Sequence, residues 1–313
     1  MNIWLTLLLF AIGVVLVVKG GDIFVDAASW IAKASGIPAF IIGATIVSVA
    51  TTLPEMLVSM IAAADGKVDM AIGNAVGSVT ANTGLILAIA MIFMTIVIQR
   101  KDYILQCILL IGAAAILPVA SMGGSLSIPG SIVLIILFLV FIFININKAK
   151  SELEEQTEKS KVPKKEIPVN AVKFILGAAG IVIGSRLLVN SGSEIANYFH
   201  VPERIIAVTM VAIGTSLPEL VTTITAIVKK QSSLSVGNLI GANIIDLTLI
   251  LPLCSVVSGK ALPIAESSLK VDMPACLIVL VLALLPLLIR KKASRLQGIL
   301  MLLVYCAYVV MVV

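Results

Sequence analysis

The sequence predicts an all-α polytopic membrane protein with ten transmembrane helices, arranged as two inverted five-helix repeats with broken core helices. Three observations lead to this fold class: an apolar composition, ten long apolar segments, and an internal duplication that carries prolines and carboxylates at membrane depth. Of the 313 residues, 60% are hydrophobic and 12% are charged, whereas a soluble domain is roughly 45–50% apolar and about 25% charged. We therefore expect a lipid bilayer around the chain and exclude a soluble enzyme core, a disordered tail and a nucleic-acid-binding protein.

Ten apolar segments are long enough for a helix to cross the hydrocarbon core, which takes about 20 residues. One charged stretch, from Lys148 to Glu166, divides them into two sets of five and has the mixed Lys and Glu composition of a solvated linker. We expect a first five-helix repeat over 1–147, a linker over 148–167 and a second repeat over 168–313. The predicted spans are 3–34, 39–64, 69–98, 103–121, 127–146, 168–198, 204–228, 232–257, 271–289 and 295–313.

Basic residues predict the orientation of these spans, because loops rich in Lys and Arg face the cytoplasm. An odd number of spans precedes the basic linker, so a cytoplasmic linker places both termini on the extracellular side. In this orientation 17 of the 22 Lys and Arg residues lie inside and 5 lie outside. We therefore expect a multi-pass protein of the plasma membrane with a cytoplasmic linker.

The two halves of the chain are related by an internal duplication. The stretch from Gly43 to Ala88 aligns without a gap with the stretch from Ala207 to Pro252, at a constant offset of 164 residues. Because each half has an odd number of spans, the second copy enters the membrane from the opposite side. Such an inverted repeat is typical of transporters.

Each copy places a proline inside a predicted helix, at Pro54 and Pro218. A proline in a helix interior removes one N–H and clashes with the carbonyl four residues before it. We therefore expect both helices to bend or unwind, which is tolerated at membrane depth beside a cavity or inside protein. Paired glycines on the next helix of each copy predict close helix packing. These are Gly73, Gly77, Gly237 and Gly241.

Three carboxylates lie within the predicted spans, at Glu55, Glu219 and Asp246. A proline, a hydroxyl side chain or a glycine pair in a membrane helix is often only structural. An ionisable side chain at the bilayer centre differs, because its insertion costs at least ~2.5 kcal/mol and indicates function. No basic residue lies near these carboxylates in the same segments, and their neighbours offer hydroxyl, amide and carbonyl oxygens. Oxygen ligands of this kind suit hard cations such as Ca²⁺, so the sequence predicts a cation site.

The paired motifs of the two copies carry a resemblance to a known family. ATTLPE and GTSLPE, followed by GNAVGSVTAN and GNLIGANIID, resemble the two α-repeats of the cation/Ca²⁺ exchanger superfamily, particularly prokaryotic Na⁺/Ca²⁺ exchangers. The resemblance covers nearly the whole chain and implies two long tilted helices, the first and sixth, across a core of helices two, three, seven and eight. It implies a monomeric antiporter that exchanges Ca²⁺ for Na⁺ by alternating access and has no tightly bound cofactor.

The resemblance also implies a set of ion ligands, carried over residue by residue. Glu55 and Glu219 are the shared ligands of Ca²⁺ and Na⁺ at mid-membrane. The other members are the carbonyls of Thr51 and Thr215, the side chains of Asn82 and Asp246, the backbone oxygens of Ser48 and Ala212, and the hydroxyls of Thr52, Ser78 and Ser216.

Two departures from the family pattern, together with Asp246, leave the coupling ion open. Thr52 replaces the usual Ser and keeps the hydroxyl, whereas Ala242 replaces an expected Ser, so that one Na⁺ subsite loses a ligand. Asp246 is similar to the acidic residue of K⁺-dependent Na⁺/Ca²⁺ exchangers. Proton/Ca²⁺ exchangers share the fold as well, so Na⁺, H⁺ and K⁺ all remain candidates.

Functions of other classes are less consistent with the sequence. A membrane-embedded hydrolase would need a nucleophile with a base or a metal site, and the chain has no HExxH, no GxSxG and one histidine. We therefore expect no enzyme activity, and we interpret the four scattered cysteines as packing residues. A cation channel can also use carboxylates, but a gapless inverted duplication favours alternating access.

Overall fold

The protein consists almost entirely of helices. The computed structural model describes residues 3–93, 100–155, 166–200, 216–259, 261–290 and 293–312. Within these ranges it contains ten helices and two short strands. The helices are α1 (Ile3–Ser35), α2 (Ala39–Ala64), α3 (Val68–Phe93), α4 (Arg100–Ala120), α5 (Ile128–Glu155), α6 (Glu166–Tyr198), α7 (Leu217–Val228), α8 (Ser232–Ser258), α9 (Ser268–Ile289) and α10 (Arg295–Val312). The strands β1 (Ser125–Leu126) and β2 (Leu262–Pro263) pair in antiparallel register, with Leu126 opposite Leu262.

The described helices confirm an all-helical polytopic membrane protein. Nine of them are long and apolar enough to cross a membrane, and they correspond in order to nine of the predicted spans. The remaining helix, α7, has 12 described residues. The predicted seventh span, 204–228, begins outside the described residues, so the structure shows only its second half.

Helix α5 extends further than the apolar pattern predicts. The predicted span ends at residue 146, but the helix continues to Glu155. Residues 148–155 are rich in Lys, Glu and Ala, which are good helix formers in water. The helix therefore continues from the apolar segment into the first part of the predicted linker.

Helices α1 and α6 form the most extensive helix pair of the described structure. They are antiparallel, since Thr6 near the start of α1 donates to Glu194 near the end of α6 (2.8 Å), and Trp30 donates to Glu166 at the other end (3.0 Å). The two backbones touch in the middle. A Cβ at Gly177 would lie 2.7 Å from the backbone nitrogen of Phe24, so glycine permits the close crossing there.

π-helical turns occur at corresponding positions in the two copies of the repeat. In α3 the turn covers Asn82–Leu87, and in α8 it covers Asp246–Ile250. The first residues of these turns, Asn82 and Asp246, are separated by the 164-residue offset of the sequence alignment. A π turn inserts one residue into an α-helix and is frequent at functional sites. The local backbone is therefore alike where the two copies carry predicted ion ligands.

We predicted that α2 bends or unwinds at Pro54, and the structure shows that it does not unwind. The segment Ser48–Ala64 is helical through Pro54, and a π turn precedes it at Gly43–Val47. Membrane helices tolerate proline when local π adjustments and neighbouring helices accommodate the freed backbone groups. The core helices α2, α3 and α8 are thus continuous rather than broken. Pro218 is the second described residue of α7, and Gly214, whose carbonyl a proline at 218 would free, lies outside the described residues.

The predicted glycine contacts are confirmed for one pair only. A Cβ at Gly237 would collide with the carbonyl of Phe40, and one at Gly241 would collide with the carbonyl of Ala44. At Gly73 and Gly77 a Cβ would meet no described atom within 4 Å. The repeat offset pairs Phe40 and Ala44 with residues 204 and 208, which lie outside the described residues.

The interpretation of all four cysteines as packing residues holds for three of them. Cys107, Cys254 and Cys276 are buried, whereas Cys306 is exposed. Cys306 lies on α10, the last helix, whose outer face is covered by no other described helix. An apolar sequence context alone does not separate a side chain that faces lipid from one that faces protein, because both surroundings are apolar.

Candidate functional site

Buried carboxylates lie where α2, α3, α7 and α8 pack against one another. The side chains are Glu55 of α2, Glu219 of α7 and Asp246 of α8, and at most 1% of each residue is exposed. Isolated charges in so dry an environment are strongly unfavourable unless a counter-charge or a ligand compensates them. The packing of the four helices thus brings the three predicted carboxylates into one region.

The three carboxyl groups lie close enough for their charges to interact, and Glu55 is beside Glu219. No Lys, Arg or His of the described residues is buried with them. Five of the six carboxylate oxygens accept no hydrogen bond from the described protein. The sixth, Oε1 of Glu219, accepts one from the Thr52 hydroxyl at 3.4 Å. The three carboxyl groups therefore form an acidic centre without a basic side chain beside it in the described protein.

Further buried oxygens without a hydrogen-bond partner are contributed by the same four helices. They are a side-chain amide oxygen and four hydroxyl oxygens: Asn82 Oδ1, Ser78 Oγ, Thr223 Oγ1, Ser235 Oγ and, directly before α7, Ser216 Oγ. Ser78 and Asn82 are four residues apart on α3, so they lie on one face of the helix. A buried polar atom without a partner costs roughly 1–3 kcal/mol. Oxygens without donors are the atoms that a cation would satisfy.

Hydrogen bonds tie the two copies of the repeat together around these oxygens. Thr52 donates to Glu219, and the neighbouring Thr51 donates to Asn238 Oδ1 at 3.2 Å. On the other side, Asn82 of α3 donates to Asn243 of α8 at 3.1 Å. Each bond joins residues of opposite repeats, so the centre is a shared property of both halves.

Two asparagines form hydrogen bonds with backbone or hydroxyl groups on the helices that carry the two glutamates. Asn74 Nδ2 donates to the Glu55 carbonyl at 3.2 Å and to Ser59 Oγ at 2.9 Å. Its repeat equivalent Asn238 donates to Thr222 Oγ1 at 3.0 Å. These side chains fix the helical turns from which the glutamates project.

The remaining predicted ligands have different surroundings. Ser48 uses its hydroxyl within its own helix, donating to the Ala44 carbonyl at 2.9 Å, and its carbonyl accepts a bond from Thr51 at 3.3 Å. All predicted ligands within the described ranges are buried. Thr215 and Ala212 lie outside the described residues, so the structure says nothing of their placement.

Several polar residues of this region lie outside the predicted ligand set, although the sequence places two of them, Asn74 and Asn238, on the same helix faces as the predicted ligands. They are Ser59, Asn74, Thr83, Thr222, Thr223, Asn238 and Asn243, all buried. Asn243 lies three residues before Asp246, which places both on one face of α8, so helical spacing could have found it. The hydroxyl residues carry no comparable signal, because Ser and Thr are common in membrane helices for structural reasons.

The donor set limits what the centre can bind. Within the described ranges no group of three His, Cys, Asp or Glu side chains is arranged to hold one metal ion. A cation here would therefore take one or two carboxylates and complete its shell with hydroxyl, amide and carbonyl oxygens. Na⁺ and Ca²⁺ accept such oxygen-rich shells, whereas soft transition metals prefer thiolate and imidazole.

Comparison with known proteins assigns the chain to a family. The sequence model described as sodium/calcium exchanger protein matches residues 5–147 and 169–313. The chain belongs to the sodium/calcium exchanger family. Sodium/calcium exchanger MaX1 of Methanosarcina acetivorans is 30% identical over 97% of each chain. An uncharacterized membrane protein of Methanocaldococcus jannaschii is 32% identical over 95% of this chain and 94% of its own length.

Solved structures agree with this membership. The sodium-calcium exchanger NCX_Mj, soaked with 10 mM Na⁺ and zero Ca²⁺, has a TM-score of 0.83 at 29% identity, covering 98% of this chain and 99% of that chain. The family resemblance carried by the repeat motifs is thereby confirmed, and so is the exchanger fold as a whole. The buried oxygen centre lies in the four helices that bear those motifs.

Proposed function

We propose that this exchanger is a secondary active antiporter that moves Ca²⁺ and Na⁺ in opposite directions across the cell membrane by alternating access. The observation that carries the proposal is the centre of three buried carboxylates, in which five of six oxygens lack a donor from the described protein. Membership of the sodium/calcium exchanger family supports Na⁺ and Ca²⁺ as the transported ions. A transported cation supplies the compensating charge only while it is bound.

The proposed ligand set follows the sequence prediction. Glu55 and Glu219 bind Ca²⁺ or Na⁺ in turn, since they lie side by side and come from opposite repeats. Asn82 and Asp246 flank them. The carbonyls of Thr51 and Thr215 contribute to the same shared ligands. The outer and inner Na⁺ subsites take the backbone oxygens of Ser48 and Ala212 and the hydroxyls of Thr52, Ser78 and Ser216.

Charge balance explains why exchange would be obligatory. With all three carboxylates ionised the centre carries −3, which three Na⁺ neutralise and one Ca²⁺ does not. With Asp246 protonated it carries −2, which one Ca²⁺ balances. A centre with a net buried charge resists closure in a low-dielectric core. We take Asp246 as protonated, so that Na⁺ suffices as the coupling ion, with H⁺ or K⁺ coupling as the alternatives to be tested.

The proposed architecture has ten transmembrane helices in two inverted five-helix repeats, 1–147 and 168–313, joined by a cytoplasmic linker over 148–167. The shared position of the π turns and the antiparallel pairing of α1 with α6 support this duplication. Alternating access would then come from α1 and α6 sliding against α2, α3, α7 and α8, opening the centre first to one side and then to the other. One chain contains both repeats, so we propose that a monomer in the plasma membrane is sufficient.

Ion flux in proteoliposomes tests the proposal. Purified protein is reconstituted into vesicles preloaded in turn with Na⁺, K⁺, both ions or acid, and ⁴⁵Ca²⁺ uptake is measured. We expect uptake with internal Na⁺ alone. Uptake without any counter-ion gradient would indicate a channel instead. Uptake driven by acid but not by Na⁺ at any pH would move the chain to the proton-coupled exchangers.

A further inference from the structure

The two repeats differ in how they surround the aligned residues Asn82 and Asp246. Both oxygens of Asp246 are buried without a partner. In Asn82, by contrast, only the amide oxygen lacks a partner. Its Nδ2 donates to Asn243 Oδ1 at 3.1 Å, while its Oδ1 is buried without a hydrogen bond. The chain thus holds one end of the Asn82 amide and leaves the other end open.

A second hydrogen bond fixes Asn243 in turn. Asn243 Nδ2 donates to Thr83 Oγ1 at 2.9 Å, and at most 3% of each of Asn82, Thr83 and Asn243 is exposed. Water therefore does not compete for these groups. In this arrangement Asn243 directs its nitrogen to the Thr83 hydroxyl and its oxygen to Asn82. That oxygen accepts only the nitrogen end of the Asn82 amide.

The equivalent positions around Asp246, the counterpart of Asn82, carry no pair of polar side chains of this kind. The 164-residue offset pairs Asn243 with Val79, and Thr83 with Leu247. Both of these apolar residues are fully buried. Asp246, the counterpart of Asn82, therefore has neither an amide nor a hydroxyl in the corresponding places.

The chemistry of the two side chains accounts for this difference. A carboxylate has two equivalent oxygens, so either face of Asp246 can serve a cation. An amide has an oxygen acceptor at one end and an N–H donor at the other. If Asn82 rotated by half a turn about its last bond, it would present an N–H group to a cation, which repels it. An amide ligand has to be oriented, and a carboxylate ligand does not.

We infer that Asn243, held by Thr83, is a positioning residue that orients the Asn82 amide so that its oxygen faces the transported cation. This inference rests on the proposed function of the centre. Asn243 itself binds no ion in this scheme, because both ends of its amide are occupied by Asn82 and Thr83. Its role is to keep one ligand in the productive orientation through the transport cycle.

The test separates positioning from folding by using two readouts. Asn243→Leu removes the acceptor for Asn82, and Thr83→Val removes the acceptor for Asn243, whereas Thr83→Ser keeps it. Each variant is reconstituted, and the Ca²⁺ concentration for half-maximal Na⁺-driven uptake is measured along with the maximal rate and the melting temperature. We expect Asn243→Leu and Thr83→Val to raise the half-saturating Ca²⁺ concentration by about threefold to tenfold, the effect of one net hydrogen bond. Thr83→Ser should match the parent.

Asn145 of α5 offers a matched control on a helix that contributes no carboxylate to the centre. It is buried, accepts an amide N–H from Gln106 on another helix at 3.3 Å, and donates to Phe141. Asn145→Leu removes an amide pair of the same kind but lies outside the four helices of the centre. It should lower the melting temperature and leave the half-saturating Ca²⁺ concentration unchanged.

The outcomes are distinguishable. An unchanged half-saturation in Asn243→Leu, or equal losses in Thr83→Ser and Thr83→Val, would overturn the positioning role. If Asn243→Leu does not fold, Thr83→Val decides the question. If the parent protein itself shows no Na⁺-driven Ca²⁺ uptake, the proposed function fails, and that result is seen before any variant is compared.

Discussion

At the scale of single residues, the protein buries acidic side chains whose ionised form folding alone would disfavour. Glu55 and Glu219 are both buried, and burying an ionised carboxylate without a partner is strongly unfavourable. Glu55→Gln or Glu219→Gln removes that cost with little change in shape, so we expect a monodisperse protein with an equal or higher melting temperature. Ca²⁺ exchange should be abolished, because the ligand charge is gone. The exposed Glu154 provides a control, since Glu154→Gln should exchange like the parent. Near-normal ⁴⁵Ca²⁺ uptake in either buried variant would contradict the site.

Asp246 makes the centre asymmetric, because its repeat equivalent is the neutral Asn82. If Asp246 is protonated throughout, Asp246→Asn exchanges one neutral group for another of nearly the same shape. Na⁺-driven Ca²⁺ exchange should then survive, with a flatter dependence on pH. The measurement is uptake between acidic and alkaline pH, with and without K⁺. Loss of a K⁺ requirement present in the parent would show that Asp246 holds K⁺ instead of a proton.

Ala242 is the position at which the chain lacks an expected hydroxyl. The residue is fully buried on α8, close to the centre in sequence. Ala242→Ser should lower the Na⁺ concentration for half-maximal exchange, because one added ligand to a charged ion contributes about 1.5–3 kcal/mol at most. A titration of Na⁺-driven uptake measures this. An unchanged Na⁺ dependence would mean that position 242 does not line a Na⁺ subsite.

At the scale of secondary-structure elements, glycines decide where helices touch. Gly177 of α6 lies against the Phe24 backbone of α1. A Cβ added at Gly112 of α4, in contrast, would meet no described atom within 4 Å. Gly177→Ala should therefore destabilise the protein by about 1–3 kcal/mol through overpacking. Gly112→Ala should stabilise it by roughly 0.5–1 kcal/mol, because alanine loses less backbone entropy in a helix. Thermal unfolding in lipid nanodiscs compares the two variants, and equal effects would contradict the close crossing.

At the scale of the whole molecule, the predicted orientation follows from the distribution of basic residues. Lys229, directly after α7, pairs with Asp26 in the second half of α1 at 2.8 Å, and the C-terminal ends of both helices are predicted to be cytoplasmic. In a background without the four native cysteines, Glu154→Cys should react with an impermeant thiol reagent only from the cytoplasmic side. Met122→Cys, in the exposed turn between α4 and α5, should react only from outside. The reverse labelling of the two positions would invert the orientation.

Much of the exchanger could be predicted from the sequence, because its strongest signals are local or periodic. Apolar length predicts membrane spans regardless of how they pack, and the gapless offset reveals the repeat. Glu55, Glu219 and Asp246 stand out because ionisable groups are rare at membrane depth. The failures have a common cause in tertiary packing. Helix α2 stays helical through Pro54 because its place inside the helix bundle, not the proline alone, decides its conformation. Cys306 is exposed because the face of α10 on which it lies is not covered by another described helix.

The sequence by itself determined the membrane class, the order of the helices, the family and the positions of the intramembrane carboxylates, since each depends on composition, spacing or a motif within one segment. Only the tertiary structure decided which polar groups meet across the repeats and which oxygens remain free. Asn82 and Asn243 are 161 residues apart, and nothing in either segment specifies their hydrogen bond. Hydrogen bonds depend on distance and direction at the scale of tenths of an ångström, and only the packing of α3 against α8 sets these values.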